Sequence, residues 1–124
     1  MVMKKKQTTN TEYPPGKHLL LDFWEASGLS DIACIEFAMR SAAMACGATV
    51  LEVKLHQFGE NGGITGVALL AESHISIHTW PEISYAALDV FVCGACDAEK
   101  AVEPLKSYFK PSRFKVTNIS RGVE

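Results

Sequence analysis

Hydrophobic and polar positions recur along most of this chain with a period that changes from segment to segment. Lys17 to Trp24 (KHLLLDFW) predicts a first strand. From Ser30 and Asp31 onward, Ile32, Ile35, Met39, Ala42, Ala43 and Cys46 follow helical spacing. Ser30 fits the N-cap and Gly47 the stop of that helix. In Thr49 to Phe58, Val50, Glu52, Lys54 and His56 alternate with Thr49, Leu51, Val53 and Leu55, which predicts a strand with one wet face. Gly59–Gly63 (GENGG) reads as a turn, and Ile64–Leu70 as a strand apolar on both faces. Two further strands, His74–Thr79 and Tyr85–Cys93, flank Trp80-Pro81-Glu82. Asp97 caps a second helix running to Lys110, and Arg113–Ser120 closes as a strand.

The order β-α-β-β-β-β-α-β predicts an α+β fold, a two-layer sandwich of a mainly antiparallel sheet with two helices on one face. Two helices cover one face only, yet Ile64–Leu70 is apolar on both. The uncovered face is therefore expected to pack face to face on a partner subunit, making a homodimer. Residues 1–15, with Pro14-Pro15-Gly16 at their end, read as a flexible N-terminal tail, and residues 16–124 as a single domain.

Composition narrows the function. Twelve basic and fourteen acidic residues give a net charge of -2, without the basic excess of a nucleic-acid binder. No run reaches the roughly 18 apolar residues of a membrane span. No apolar segment follows Lys4-Lys5-Lys6, so no secretory signal is expected, and the setting is expected to be cytoplasmic. Reduced thiols are expected there. Cys34 and Cys46 lie in the helical pattern as packing residues. Cys93-Gly-Ala-Cys96 forms one C-x-x-C, which alone is weak evidence for redox or zinc chemistry.

The reactive side chains gather in Glu72-Ser73-His74-Ile75-Ser76-Ile77-His78-Thr79-Trp80-Pro81-Glu82, with Cys93 on the next strand. Edge-strand polarity would explain single residues of this kind. Two His, two Ser and two Glu among a Trp and isoleucines would be costly to bury unless hydrogen-bonded or functional. His74 and His78 lie about 13 Å apart along a strand, too far to share one metal ion, and no metal is expected. His18, His56 and His74 carry no assigned chemistry.

AESHISIHTWPE together with YAALDVFVCG resembles the small pyruvoyl-dependent S-adenosylmethionine decarboxylase proenzymes of bacteria. The likeness runs from GKHLLLDFW through the last strand, about 105 of 124 residues. It implies that Ser73 attacks the carbonyl of Glu72 and that the resulting ester eliminates. The products would be chains 1–72 and 73–124, the second headed by a pyruvoyl group that forms a Schiff base with the substrate amine and acts as electron sink. Decarboxylated S-adenosylmethionine, the aminopropyl donor for spermidine, is the implied product. A lysine-bound pyridoxal is disfavoured: the chain is short for such a domain, and no lysine lies in the polar cluster.

The resemblance also implies roles. His78 is the processing base, Cys93 the proton donor to the decarboxylated carbon, and Glu82 the acceptor for ribose hydroxyls. Thr65 stands where the family usually has a serine that assists processing; threonine keeps the hydroxyl and stiffens χ1. Phe58 falls where an adenine-stacking aromatic is expected, in a loop, FGENGGITG, one residue longer than the usual form. Cys96 has no part in the matched pattern. Ser73 and His78 are five residues apart, which on a regular strand puts them on opposite faces, so a bend at the cleavage site is expected. Two alternatives stay open: a pyruvoyl decarboxylase for another amino acid such as ornithine or arginine, and an uncleaved, non-catalytic homologue.

Overall fold

A computed structural model describes residues 16–123; the expected tail, residues 1–15, lies outside them. In chain order the elements are β1 (Gly16–Trp24), α1 (Ile32–Cys46), β2 (Val50–Gln57), β3 (Ile64–Leu70), β4 (Ser73–Trp80), β5 (Tyr85–Cys93), α2 (Val102–Phe109) and β6 (Arg113–Arg121). The six strands form one antiparallel sheet in the order β2-β3-β4-β5-β1-β6. As expected, both helices cover one face. Ile35, Ala38, Met39, Ala42, Ala43 and Cys46 of α1, with Leu105 and Phe109 of α2, bury there against Leu19, Leu21, Phe23, Ile75, Ile77, Leu88, Val90 and Val92 of the sheet. Each large side chain buried this completely contributes about 1.5–3 kcal/mol. Thr79 ties the same layer together: its hydroxyl donates to Leu29 O and accepts from Ile64 N–H, both at 2.8 Å.

Local details differ from the sequence reading. Asp31, not Ser30, caps α1, its carboxylate accepting from Cys34 N–H at 3.1 Å; the Ser30 hydroxyl donates to Asn61 O instead. A carboxylate one residue nearer the helix suits the positive end of its dipole. Gly47 ends α1 in the left-handed region as expected, at φ 85°. Ile32 and Cys34 are exposed, so neither belongs to the packed stripe. The register of β2 shifts between Val50 and Glu52, a bulge that turns Leu51 out to solvent and Val50 toward the core. The strict alternation read from Thr49 to Phe58 therefore breaks at its start. Asp97 caps a 3-10 turn at Ala98–Ala101, through Glu99 N–H, and α2 proper begins only at Val102. Leu69 is 44% exposed, so the second face of β3 is uncovered in a single chain.

Candidate active site

The β3–β4 hairpin turns through two residues, Ala71 and Glu72, and sets Leu70 opposite Ser73. Glu72 has φ +60°, in the left-handed region that costs a side-chain-bearing residue about 1–2 kcal/mol. The peptide bond between Glu72 and Ser73 thus leaves a strained turn and enters a regular strand. That turn is the only bend the structure provides at the junction, since β4 continues unbroken from Ser73 to Trp80.

At this end of the sheet, β5 brings Cys93 beside Ser73. The Cys93 N–H donates to the Ser73 hydroxyl oxygen at 3.1 Å, which fixes that oxygen and leaves its own proton free to be removed. Both residues are half-buried. A short turn then returns Cys96 to within 3.9 Å of Cys93, sulfur to sulfur. Burial, then the hydrogen bond to Cys93, raise the Cys96 thiol above its ordinary pKa, and the charge of Glu72 adds to the effect. Glu72, Ser73 and Cys93 thus form one group, and Cys96 is a neighbour of it with no expected part in the chemistry.

The remaining expected residues form another, at the far end of β4. Thr65 and His78 are cross-strand neighbours, with Thr65 Oγ1 3.2 Å from His78 Nδ1. His78 continues into an aromatic ladder through Trp80, Tyr85 and Trp24, with ring centroids 5.5–6.2 Å apart. Glu82 lies exposed in the 3-10 turn that follows Trp80. Phe58, 60% exposed, stacks edge-on to His56 across 4.6 Å at the mouth of the Gly59–Gly63 loop. Gly63 draws that loop against β4: a Cβ there would come within 2.4 Å of Thr79 O. His78 faces away from the helices while Ser73 shares the parity of buried Ile75 and Ile77. Five strand residues separate the two by about 17 Å. One chain does not bring Ser73 to His78.

Between the two groups, the helix-free face carries a network that the sequence reading left unassigned. Asp89 accepts from Ser76, from His18 Nε2 at 2.5 Å and from His74 Nε2 at 3.2 Å. Arg121 donates to His18 Nδ1 at 3.1 Å, so the ring proton sits on Nε2 and points at Asp89. Burial alone would raise Asp89, but bonds from Ser76, His18 and His74 outweigh it and hold the carboxyl below its ordinary pKa. Ligand atoms of His18, His74 and Asp89 lie within 4.8 Å of one another, close enough for a cation. The protonated Nε2 and the neighbouring guanidinium oppose one. The signal was present in the sequence: His18, His74, Ser76 and Asp89 share one parity on three adjacent strands. Beside them a depression of about 360 Å³ is lined by Leu20, Asp22, Ser76, His78, Ala87 and Asp89. A larger hollow at Gly28–Ile32 and Asn61, about 610 Å³, holds none of the expected residues.

Comparison with known proteins decides the family. Residues 17–122 match the family model described as S-adenosylmethionine decarboxylase. The chain belongs to that family. Among relatives named S-adenosylmethionine decarboxylase proenzyme, one from Methanococcus aeolicus is 44% identical over 110 residues, covering 86% of this chain and 93% of its own. Another, from Thermomicrobium roseum, is 38% identical, covering 87% and 94%. The solved adenosylmethionine decarboxylase of Aquifex aeolicus superposes with a TM-score of 0.80 at 32% identity, covering 90% of this chain and 93% of that one. As a member of this S-adenosylmethionine decarboxylase family, the chain is an enzyme. No helix among its described residues is long and apolar enough to cross a membrane.

Proposed function

We propose that this S-adenosylmethionine decarboxylase family member cleaves itself between Glu72 and Ser73 and then decarboxylates S-adenosylmethionine through a pyruvoyl group derived from Ser73. The observation that carries the reading is the junction itself: a serine hydroxyl held by Cys93 N–H, directly after a residue at φ +60°. An N-to-O acyl shift is uphill, and strain stored on the carbonyl side lowers the climb. The site's chemistry fits a pyruvoyl group, because the Ser73 hydroxyl proton has no acceptor among the described residues and the carbonyl it would attack belongs to the adjoining turn. Once formed, the group supplies a sink for the electrons released as carbon dioxide leaves.

The chain's own residues then divide the work. The Cys93 thiol, on the strand beside position 73, gives a proton to the decarboxylated carbon. Glu82 accepts from the ribose hydroxyls, and Phe58 offers a face for the adenine. His78, with Thr65 hydrogen-bonded to it, removes the proton that elimination requires.

The separation of about 17 Å along β4 argues for a homodimer. A second copy packed on the helix-free face is the proposed source of the His78, Thr65, Glu82 and Phe58 that complete the site at the end of the sheet holding Ser73 and Cys93. Two complete sites result from two incomplete ones. The half-exposed Leu20, Leu69, Trp80 and Ile119 on that face suit burial against a partner. Four free thiols fit a cytoplasmic setting.

Intact mass of freshly purified protein tests the reading. Two polypeptides breaking before position 73, the second lighter than an unmodified serine chain, are expected. Incubation with S-adenosylmethionine, ornithine and arginine in turn is expected to release carbon dioxide from the first alone. A single uncleaved species without a keto end group would sink the proposal.

A further inference from the structure

The turn Cys93-Gly94-Ala95-Cys96 has no part in the chemistry above beyond its first residue. Its geometry is that of a dithiol ready to close. Cys96 N–H donates to Cys93 O at 3.0 Å, a β-turn whose ends lie less than about 7 Å apart at Cα. Disulfides span Cα separations of about 4.4–6.8 Å. The two sulfurs stand 3.9 Å apart as thiols, and both residues are half-buried, so rotation about χ1 can join them and a small molecule can reach them. Cys46, by contrast, is buried beneath Ala98 O, and Cys34 stands on the outside of α1.

We infer that Cys93 and Cys96 are a thiol–disulfide exchange site for low-molecular-weight disulfides, and that closing it switches the decarboxylase off. The loss of activity, though not the pairing, rests on Cys93 being the proton donor. One thiolate attacks the sulfur–sulfur bond of the reagent, forming a mixed disulfide and releasing one small thiol. The second thiolate displaces the other small thiol and completes the Cys93–Cys96 bond. The protein pair gives up two electrons and two protons, and the reagent leaves as two thiols. A disulfide sulfur at position 93 has no proton to donate.

The processed enzyme tests this directly, because residues 73–124 contain only two cysteines, Cys93 and Cys96. With oxidised glutathione, that fragment is expected to lose about 2 Da with no retained adduct, and a peptide map joins 93 to 96. Turnover falls by about 10²-fold and returns with dithiothreitol. Cys96→Ser is expected to match the unmodified enzyme before oxidation, then to keep one glutathione on Cys93 because nothing can displace it. Two thiols surviving treatment, or two retained glutathiones without closure, overturn the proposal. Closure with undiminished turnover overturns the switch. The mass readout needs no turnover, so failed pairing is distinct from a failed catalytic reading, which Cys93→Ala shows without any oxidant.

Discussion

Glu72 and Ser73 meet at a bond whose two sides have unlike conformations, and single substitutions separate their contributions. Ser73→Ala is expected to remain one polypeptide and to be inactive, as intact mass and carbon dioxide release would show. Glu72→Gly removes the penalty of φ +60° while keeping the attacked carbonyl. If strain of about 1–2 kcal/mol assists the acyl shift, that variant cleaves roughly 5–30-fold more slowly, measured as the rate of fragment appearance. An unchanged rate would place the driving force elsewhere. Cys93→Ala should still cleave, because its backbone N–H remains, yet turn over about 10²-fold more slowly. Fast turnover by this variant would remove the thiol from proton transfer.

Across elements, the Asp89 network stitches β1, β4 and β5 together on the face the helices leave open. Its carboxyl is held below the ordinary pKa in the folded chain, so the stabilisation is full above the unfolded value near 4. It is lost as pH falls through the lowered folded value. Asp89→Asn is expected to cost about 1–3 kcal/mol at neutral pH in urea unfolding, and the gap to the unmodified chain should narrow below about pH 4. A gap independent of pH would show that the charge contributes nothing. The sequence made the six strands and two helices legible because burial repeats at periods of 2 and 3.6, as in buried Leu19, Leu21 and Phe23 or Ile35, Ala38, Met39 and Ala42. The bulge at Leu51 and the cap at Asp31 were not legible, since each depends on which backbone groups the neighbouring segment leaves unpaired. The site residues were legible by type, and alternation already put Ser73 and His78 on opposite faces. What periodicity could not convey was the two-ended arrangement, which follows from how β2, β3 and β5 are registered against β4.

At the scale of the whole molecule, the divided site makes a prediction that no single-chain arrangement makes. Ser73→Ala and His78→Ala chains, each uncleaved alone, are expected to complement when co-refolded. Roughly half of the His78→Ala chains should cleave, because random pairing puts about half of them beside a partner with an intact histidine. Persistent silence in the mixture would return the base to the same chain. The strand order carries one more consequence, for what would follow the proposed cut between Glu72 and Ser73. The first fragment keeps β1, α1, β2 and β3; the second keeps β4, β5, α2 and β6. Since β1 lies between β5 and β6 while β3 lies against β4, each fragment threads into the other's territory at three seams. Breaking the Glu72–Ser73 bond opens a hairpin tip and severs no ladder, so the two pieces stay dovetailed and migrate as one body until denatured.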